Sequence, residues 1–208
     1  YLANGSELWN IPRMSEMPDI TVPFAEENDP EYFPYKRDKE RLNRFWAIPG
    51  MQGLRHRIGG LEKFDVTGEI TNDPLNHETM VGLREEKIDR VADFVPEQVI
   101  EGCPEGKLLV VGWGGTYGAL HSAVTEMQNE DKCISLAQFN FIRPLPKNTA
   151  EIFAQFDKIL VCELNRGQFV SYLRMQLPQF KFLQYNKVQG LPFMISELKK
   201  KFNELLEE

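Results

Sequence analysis

Several absences narrow the reading of this 208-residue chain. No apolar run approaches the ~20 residues of a membrane-spanning helix. The longest, Leu108-Leu-Val-Val-Gly-Trp113, has only the length of a strand. Cysteine is scarce: Cys103, Cys133 and Cys162 are odd in number, far apart and without a Cys-x-x-Cys pair. Neither a disulfide framework nor a zinc site is expected from them. An iron–sulfur cluster, normally held by four cysteines, is not expected within the chain either. Cys133 and Cys162 sit in apolar runs and should be buried, inert thiols, which suits a reducing cytoplasm. Positive charge is also short. The net charge of −7 argues against general nucleic-acid or anionic-membrane binding. The opening Tyr1-Leu-Ala-Asn-Gly-Ser-Glu has neither an initiating Met nor the pattern of a signal peptide. The chain is therefore expected to be a piece of something longer.

What is present is ordinary for a globular chain: 42% hydrophobic and 26% charged residues exclude a wholly disordered or low-complexity protein. The charge is uneven. Residues 1–105 carry 12 Lys and Arg against 21 Asp and Glu, a balance of −9, whereas residues 106–208 carry 12 against 10, a balance of +2. A two-part organisation is the simplest reading.

The first part resists periodic assignment. Pro12, Pro18, Pro23, Pro30, Pro34 and Pro49 interrupt every helical or strand period in residues 1–50. Yet Trp9, Phe24, Tyr32, Phe33, Tyr35 and Trp46 are too many aromatics for a disordered linker. The inference is an irregular segment packed on another surface, one absent from this chain. A short helix is expected around Asp38–Arg44, and a loop with at most a short strand over 51–72. Asp73-Pro74 is a good N-cap followed by a good first helical residue. The helix it opens should reach about Asp93, with Val81, Ile88, Val91 and Phe94 or Val95 on its inner face.

From Lys107 strands and helices alternate. Leu108–Gly112 and Lys158–Leu164 are continuous apolar runs, as in strands buried on both faces. Cys133–Phe139 and Phe180–Tyr185 are further strands. Helical spacing marks Tyr117 to Met127, Ala150–Phe156, Phe169 to Leu177, and a final amphipathic helix after Pro192 with Ile195, Leu198, Phe202 and Leu205 on one face. This order implies an α/β fold with a mainly parallel sheet, preceded by an irregular and helical extension.

Four stretches carry candidate chemistry. Gly112-Trp-Gly-Gly-Thr-Tyr-Gly118 joins a strand to a helix, where backbone N–H groups can hold phosphate. It lacks the third glycine of a dinucleotide fingerprint, since Tyr117 stands there, and no Walker lysine follows. The preferred reading is a tight turn with Thr116 as helix cap. Glu163-Leu-Asn-Arg-Gly-Gln168 ends the later strand, at the sheet edge where ligands gather. Glu163, Asn165, Arg166 and Gln168 line a crevice or a subunit contact there, or Asn165 and Gly167 form the turn while Glu163 binds backbone amides. Arg143, in Phe141-Ile-Arg-Pro-Leu-Pro146, binds an anion or belongs to a rigid strand exit. Arg55-His-Arg-Ile-Gly-Gly60 is basic within an acidic half: it holds a carboxylate or phosphate, or, as preferred, pairs with acids nearby. His77 and His121 read as surface or capping residues. No nucleophile–base signature or metal spacing appears.

As an ordered set, these elements resemble the alpha subunit of 2-oxoacid:ferredoxin oxidoreductases, especially the 2-oxoglutarate type. The resemblance rests on Tyr1-Leu-Ala-Asn-Gly-Ser-Glu-Leu-Trp-Asn-Ile-Pro12, His56-Arg-Ile-Gly-Gly-Leu-Glu62 and Asp73-Pro-Leu-Asn-His-Glu-Thr-Met80. It continues through Val111-Gly-Trp-Gly-Gly-Thr-Tyr-Gly118, Arg143-Pro-Leu-Pro146 and Glu163-Leu-Asn-Arg-Gly-Gln168. It implies that residues 1–95 are the end of a pyrimidine-binding domain and its connector. Residues 96–208 would be a domain similar to the transketolase C-terminal domain. It further implies oxidative decarboxylation of a 2-oxoacid, here 2-oxoglutarate, to an acyl-coenzyme A with reduction of ferredoxin. Thiamine diphosphate, magnesium and an iron–sulfur cluster would serve the whole enzyme, but the resemblance places them in the beta subunit and none in this chain. No catalytic, cofactor-binding or metal-binding residue transfers. The candidate interface or channel-rim residues are Arg55, His56, Arg57, Thr116, Tyr117, Arg143, Glu163, Asn165 and Gln168. Partners would be the beta subunit, the 2-oxoacid, coenzyme A and ferredoxin, with no nucleic acid and no membrane. A free-standing nucleotide-binding α/β protein and a purely structural dimerisation module are the alternatives.

Overall fold

The computed structural model describes residues 12–207. Trp9 and the part of the first family-like motif before Pro12 lie outside the described residues. The chain forms two compact units that divide between Phe94 and Val95.

In the second unit the doubly apolar runs do form a parallel sheet. Strand β1 is Gly106–Trp113, β2 Ile134–Phe139, β3 Phe156–Glu163 and β4 Phe182–Asn186. All neighbours are parallel, in the order β2-β1-β3-β4. Helices α2 (Tyr117–Asn129), α3 (Thr149–Phe153), α4 (Gln168–Gln176) and α5 (Ile195–Glu207) connect or follow them. Side chains alternate across a strand, so each run feeds two cores. Leu108, Val110, Leu160 and Cys162 face one layer with Leu120, Met127, Leu198 and Phe202 from α2 and α5. Leu109, Val111, Ile159 and Val161 face the other, with Phe153 from α3 and Phe169, Val170 and Leu173 from α4. Leu108 to Val111 are all fully buried; each such side chain contributes about 1.5–3 kcal/mol relative to exposure. This two-sided covering makes β1 and β3 unbroken apolar runs rather than alternating ones.

The predicted elements of this unit are present with shifts of one to three residues at their ends. Cys133 and Ile195 depart from expectation, whereas Cys162 is buried as expected. Cys133 is exposed, because it precedes β2 instead of opening it. Cys162 is buried, and burial pushes its thiol far above the ordinary value. In α5, Ile195 is partly exposed while Leu198, Phe202 and Leu205 form the inner face.

The first unit contains one long helix, α1, Pro74–Asp89, continued by a 3₁₀ turn over Arg90–Asp93. Asp73 caps it as expected: its side chain accepts from the Leu75 amide at 3.0 Å. Its buried residues, however, are Asn76 and Met80. Val81, Ile88, Val91 and Phe94, the predicted inner face, are each at least two-fifths exposed. The helix predicted over Asp38–Arg44 is instead a closed turn between the bridged residues Arg37 and Arg44. Asp38 makes the turn: its carboxylate accepts from the Glu40, Arg41 and Asn43 amides, and Leu42 adopts a φ of +55°. Side-chain capping of that kind competes with helix formation. Burial works to raise the Asp38 pKa, but the three amides outweigh it and hold the carboxyl below its usual value. Elsewhere the unit is joined by isolated bridges, Phe24 to Trp46, Tyr35 to Val66 and Lys63 to Ile70. A 3₁₀ turn over Met14–Glu16 had no counterpart in the sequence pattern.

Candidate functional site

The parallel sheet has its switch point between β1 and β3: the chain leaves β1 toward β2 and leaves β3 toward β4. In open α/β sheets the carboxyl ends at such a point form a crevice. Here the crevice is filled from within. Glu163, at the end of β3, is fully buried. Its Oε1 accepts from the Phe169 amide at 2.8 Å and from the Trp113 indole Nε1 at 3.2 Å; its Oε2 accepts from the Val170 amide at 3.0 Å. The first turn of α4 thus holds a carboxylate from its own chain, where a ligand's anion would otherwise sit. Trp113 from β1 closes the other side and packs edge-on to Phe169.

Asn165 makes the turn between β3 and α4. Its Oδ1 accepts from the Gly167 and Gln168 amides at 2.7 and 2.9 Å. Gly167 has a φ of +91°, and a Cβ there would lie 2.9 Å from Val170 Cγ1. Only glycine meets both conditions. Both halves of the structural reading of this motif therefore hold in one loop. Gln168 and Arg166 are exposed beside it.

The glycine-rich element after β1 is likewise a packing turn. A Cβ on Gly112 would stand 2.3 Å from Leu120 Cδ1, so the glycine lets α2 approach the strand. Thr116 stands at the N-cap position of α2, but its side chain makes no capping bond to the helix. Its hydroxyl accepts from the Trp113 amide and donates to the Trp113 carbonyl, tying the turn back onto β1. Gln138 Nε2 donates to the Gly114 carbonyl at 3.1 Å. Tyr117 is half-buried against the His121 ring. His121 itself meets Glu101 at 2.6 Å, and on α1 His77 meets Glu62 at 2.5 Å; both are surface pairs. Arg143 is exposed in the loop after β2. Of the candidate residues, then, Thr116, Tyr117, Glu163, Asn165 and Gln168 gather at the carboxyl edge of the sheet. Sequence reading missed Trp113 as the partner of Glu163, because no spacing rule links residues 50 apart.

Arg55, His56 and Arg57 lie in the first unit, all exposed. The preferred expectation for them fails: neither arginine pairs with a carboxylate among the described residues. Together with Tyr32, Thr67, Gly68 and Glu69 they line a cleft of about 480 Å³. A second cleft of about 260 Å³ shares Tyr32, His56 and Arg57 and adds Tyr35 and Arg44. Burial raises the Tyr32 phenol above its ordinary value. The Tyr32 and His56 rings lie 5.9 Å apart, and the Arg44 guanidinium sits 4.4 Å over the Tyr35 ring. His56 Nδ1 donates to the Leu54 carbonyl at 2.8 Å, since a carbonyl only accepts. Behind this loop the buried Lys63 ammonium donates to the Gly59 and Leu61 carbonyls.

Among the described residues, no three His, Cys, Asp or Glu side chains are grouped so as to hold a metal ion. No helix among them is long and apolar enough to cross a membrane.

No protein-family model matches the sequence. The chain is 38% identical over 202 residues to 2-oxoglutarate oxidoreductase subunit KorA of Mycobacterium tuberculosis, which covers 95% of this chain and 30% of that protein. It is 26% identical over 200 residues to the alpha subunit of 2-oxoacid:ferredoxin oxidoreductase 2 of Aeropyrum pernix, covering 88% of this chain and 31% of that one. The chain thus spans about 30% of the length of the curated relatives it matches. Its fold matches a solved 2-oxoglutarate:ferredoxin oxidoreductase from Magnetococcus marinus with a TM-score of 0.84 at 24% identity, over 94% of this chain and 34% of that one. That structure was solved with 2-oxoglutarate, coenzyme A and succinyl-coenzyme A bound.

Proposed function

Because this chain is a relative of the alpha subunits of 2-oxoacid:ferredoxin oxidoreductases, we propose that it is part of such a subunit in an enzyme acting on 2-oxoglutarate. The observation that carries the reading is the 38% identity to a 2-oxoglutarate oxidoreductase subunit over 95% of the chain. The whole enzyme would cleave carbon dioxide from 2-oxoglutarate, pass the succinyl group to coenzyme A and deliver the electrons to ferredoxin. Thiamine diphosphate supplies the carbanion chemistry of such a reaction. The described residues do not fit a site for its magnesium ion or for an iron–sulfur cluster, since they group no three metal-ligating side chains. We assign those groups to a beta subunit.

What this piece contributes is surface. Residues 1–95 are read as the end of a pyrimidine-binding domain with its connector, and 96–208 as a domain similar to the transketolase C-terminal domain. The division between Phe94 and Val95 supports that boundary. Trp46 is 64% exposed and Ile58 88%. We read these exposed apolar groups as contacts with further protein. We read Tyr117 and Gln168 at the carboxyl edge of the sheet, and Arg143 in the loop after β2, as side chains that meet a partner or a channel rim; Asn165 shapes the turn beside them. Thr116 and Glu163 are buried and hold the loops that present them. A cytoplasmic setting suits both the unpaired cysteines and the reaction.

The test is co-expression of the complete alpha subunit with its beta partner, assayed for ferredoxin reduction that requires both 2-oxoglutarate and coenzyme A. The 208-residue chain alone should show none. Absence of activity on every 2-oxoacid tried would overturn the reading, whereas a preference for pyruvate would overturn only the substrate.

A further inference from the structure

Two of the three cysteines lie where the segment leading into β1 runs along the sheet. Residues 98–103 form a strap beside β2, an edge strand of the sheet. Gln98 and Asn148 exchange two hydrogen bonds, at 2.8 and 3.0 Å, and Gln98 Nε2 donates to the Gln138 carbonyl at 2.9 Å. Glu101 and Leu136 then form an antiparallel bridge, each amide donating to the other's carbonyl, at 2.8 and 3.0 Å. Ser135 Oγ donates to the Cys103 carbonyl at 2.9 Å. The strap thus covers backbone groups that an edge strand would otherwise leave open. Cys103, at the end of the strap, and Cys133, just before β2, are both exposed. We propose that Cys103 and Cys133 form a reversible disulfide that clasps the strap to the edge of the sheet.

The backbone brings the two thiols to one spot. Continuing the Glu101–Leu136 pairing by two residues sets Cys103 opposite Ile134, the neighbour of Cys133. Facing residues of such a ladder lie about 4.5–5.5 Å apart at Cα, and a disulfide spans about 4.4–6.8 Å. In a regular ladder diagonal neighbours point to opposite faces. Gly102, at a φ of +118°, breaks that alternation one residue before Cys103. Side-chain packing points the same way. Ser135 reaches the Cys103 carbonyl, and Cys133 Sγ lies against Gly106, where an added Cβ would stand 2.7 Å away. The loop from Cys103 to Gly106 therefore meets Ser135 at one end and Cys133 at the other. Cys162 is no alternative partner, because it is fully buried and the thiolate is the reacting form. The oxidant is a small-molecule disulfide such as oxidised glutathione. One protein thiolate attacks a sulfur of that disulfide, leaving a mixed disulfide and releasing one small thiol. The second protein thiolate attacks the bonded protein sulfur and releases the other. Two protein thiols thus give up two electrons and two protons, and the small disulfide is reduced to two thiols. A reducing medium returns the pair to thiols, so the clasp opens and closes with the thiol balance around it. The inference rests on these contacts and not on the reaction above.

For the test, the dilute 208-residue chain is equilibrated without oxygen in glutathione buffers from fully reduced to fully oxidised, then quenched with acid, alkylated and mapped by mass spectrometry. Oxidation should join the Cys103 and Cys133 peptides within one chain, leave Cys162 alkylatable only after denaturation, and reverse with dithiothreitol. Cys103→Ser and Cys133→Ser should each abolish the link and leave the remaining thiol as a mixed disulfide with glutathione. Both positions are exposed, so both variants should melt with the reduced parent. Amide hydrogen exchange reports the clasp itself. At Glu101 and Leu136 it should slow about tenfold in the oxidised parent, and in neither variant. Thiols that stay free in oxidised buffer, two separate glutathione adducts, a link between chains or a link to Cys162 would each overturn the proposal. So would a Cys103–Cys133 link that leaves exchange at Glu101 and Leu136 unchanged, since the strap would then not be held by it. None of these failures touches the co-expression assay.

Discussion

The two units reach order by different means. In the second, buried apolar side chains on both faces of a four-stranded sheet form two continuous clusters. In the first, the buried apolar residues are few, Ala25, Leu42, Leu54 and Met80, and none belongs to either cluster. Polar bonds take their place there. Asp38 closes a turn. The buried Asn76 accepts from the Asp65 amide and donates to the Lys63 carbonyl. Arg90 reaches the Lys39 and Glu40 carbonyls, and Arg37 pairs with Asp65. A net hydrogen bond contributes only about 0.5–1.5 kcal/mol, so a unit built this way has shape without much reserve of stability. Among the described residues, the first unit rests on polar contacts and the second on apolar burial.

The sharpest way to break this comparison is to cut both cores. Leu160→Ala in β3 removes a fully buried side chain and should cost about 2–5 kcal/mol, as large core truncations do. Leu54→Ala removes a residue almost as buried, 3% exposed, but outside any apolar cluster. Its cost should fall at or below the lower end of that range. Urea denaturation followed by far-ultraviolet circular dichroism measures both. Equal losses would mean that the first unit has a core of its own.

The same contrast explains what was legible in the sequence. Leu108–Val111 and Ile159–Cys162 were readable as doubly buried strands because apolar continuity has one physical cause, cover on both faces. The final helix was readable because Leu198, Phe202 and Leu205 have partners within the chain. In the first unit the same rules misled. Val81, Ile88, Val91 and Phe94 do recur at helical spacing, yet they remain exposed, since periodicity reports which face is apolar and not what covers it. The Asp38 turn was misread because its three amide bonds are tertiary geometry, not composition. At the sheet edge, Glu163 and Asn165 were legible as turn-forming residues. Trp113 was not, because its bond to Glu163 depends on β1 and β3 being neighbours.

A second test sharpens the comparison within the sheet unit, where one polar group sits in an otherwise apolar setting. Glu163→Gln keeps the size of the side chain but turns one acceptor oxygen into a donor facing the amides of α4 or the Trp113 indole. An unsatisfied buried group costs about 1–3 kcal/mol, so the variant should lose stability in that range, less than Leu160→Ala. Trp113 fluorescence should report the same site, through a changed emission maximum in the folded variant. A variant as stable as the parent would show that the carboxylate is not what seals the crevice.

The smallest effect concerns charge, and it sets a part-buried pair of the sheet unit beside a surface pair of the first unit. Glu197 is held below its ordinary value, first by the bond from the Lys187 ammonium at 2.7 Å and then by the Met194 amide. In the first unit Glu62 is held low chiefly by its bond from His77. A carboxyl whose folded pKa is depressed stabilises the fold above its unfolded value and loses that contribution as pH falls through the folded one. The melting temperature of Glu197→Gln should therefore lie below the parent's at pH 7. The two should converge as pH drops below the usual carboxylate range, where the parent's Glu197 is protonated and resembles the variant. Glu62→Gln should follow the same course with a smaller gap at neutral pH. The Lys187 side chain is only 8% exposed, whereas His77 is 62% exposed, and exposed pairs are screened by water. A Glu197→Gln gap that persists unchanged into acid would assign its effect to lost packing rather than to the ion pair. A wider gap for Glu62→Gln than for Glu197→Gln would reverse the order of the two units, and with it the claim that polar contacts in the first unit are many but individually weak.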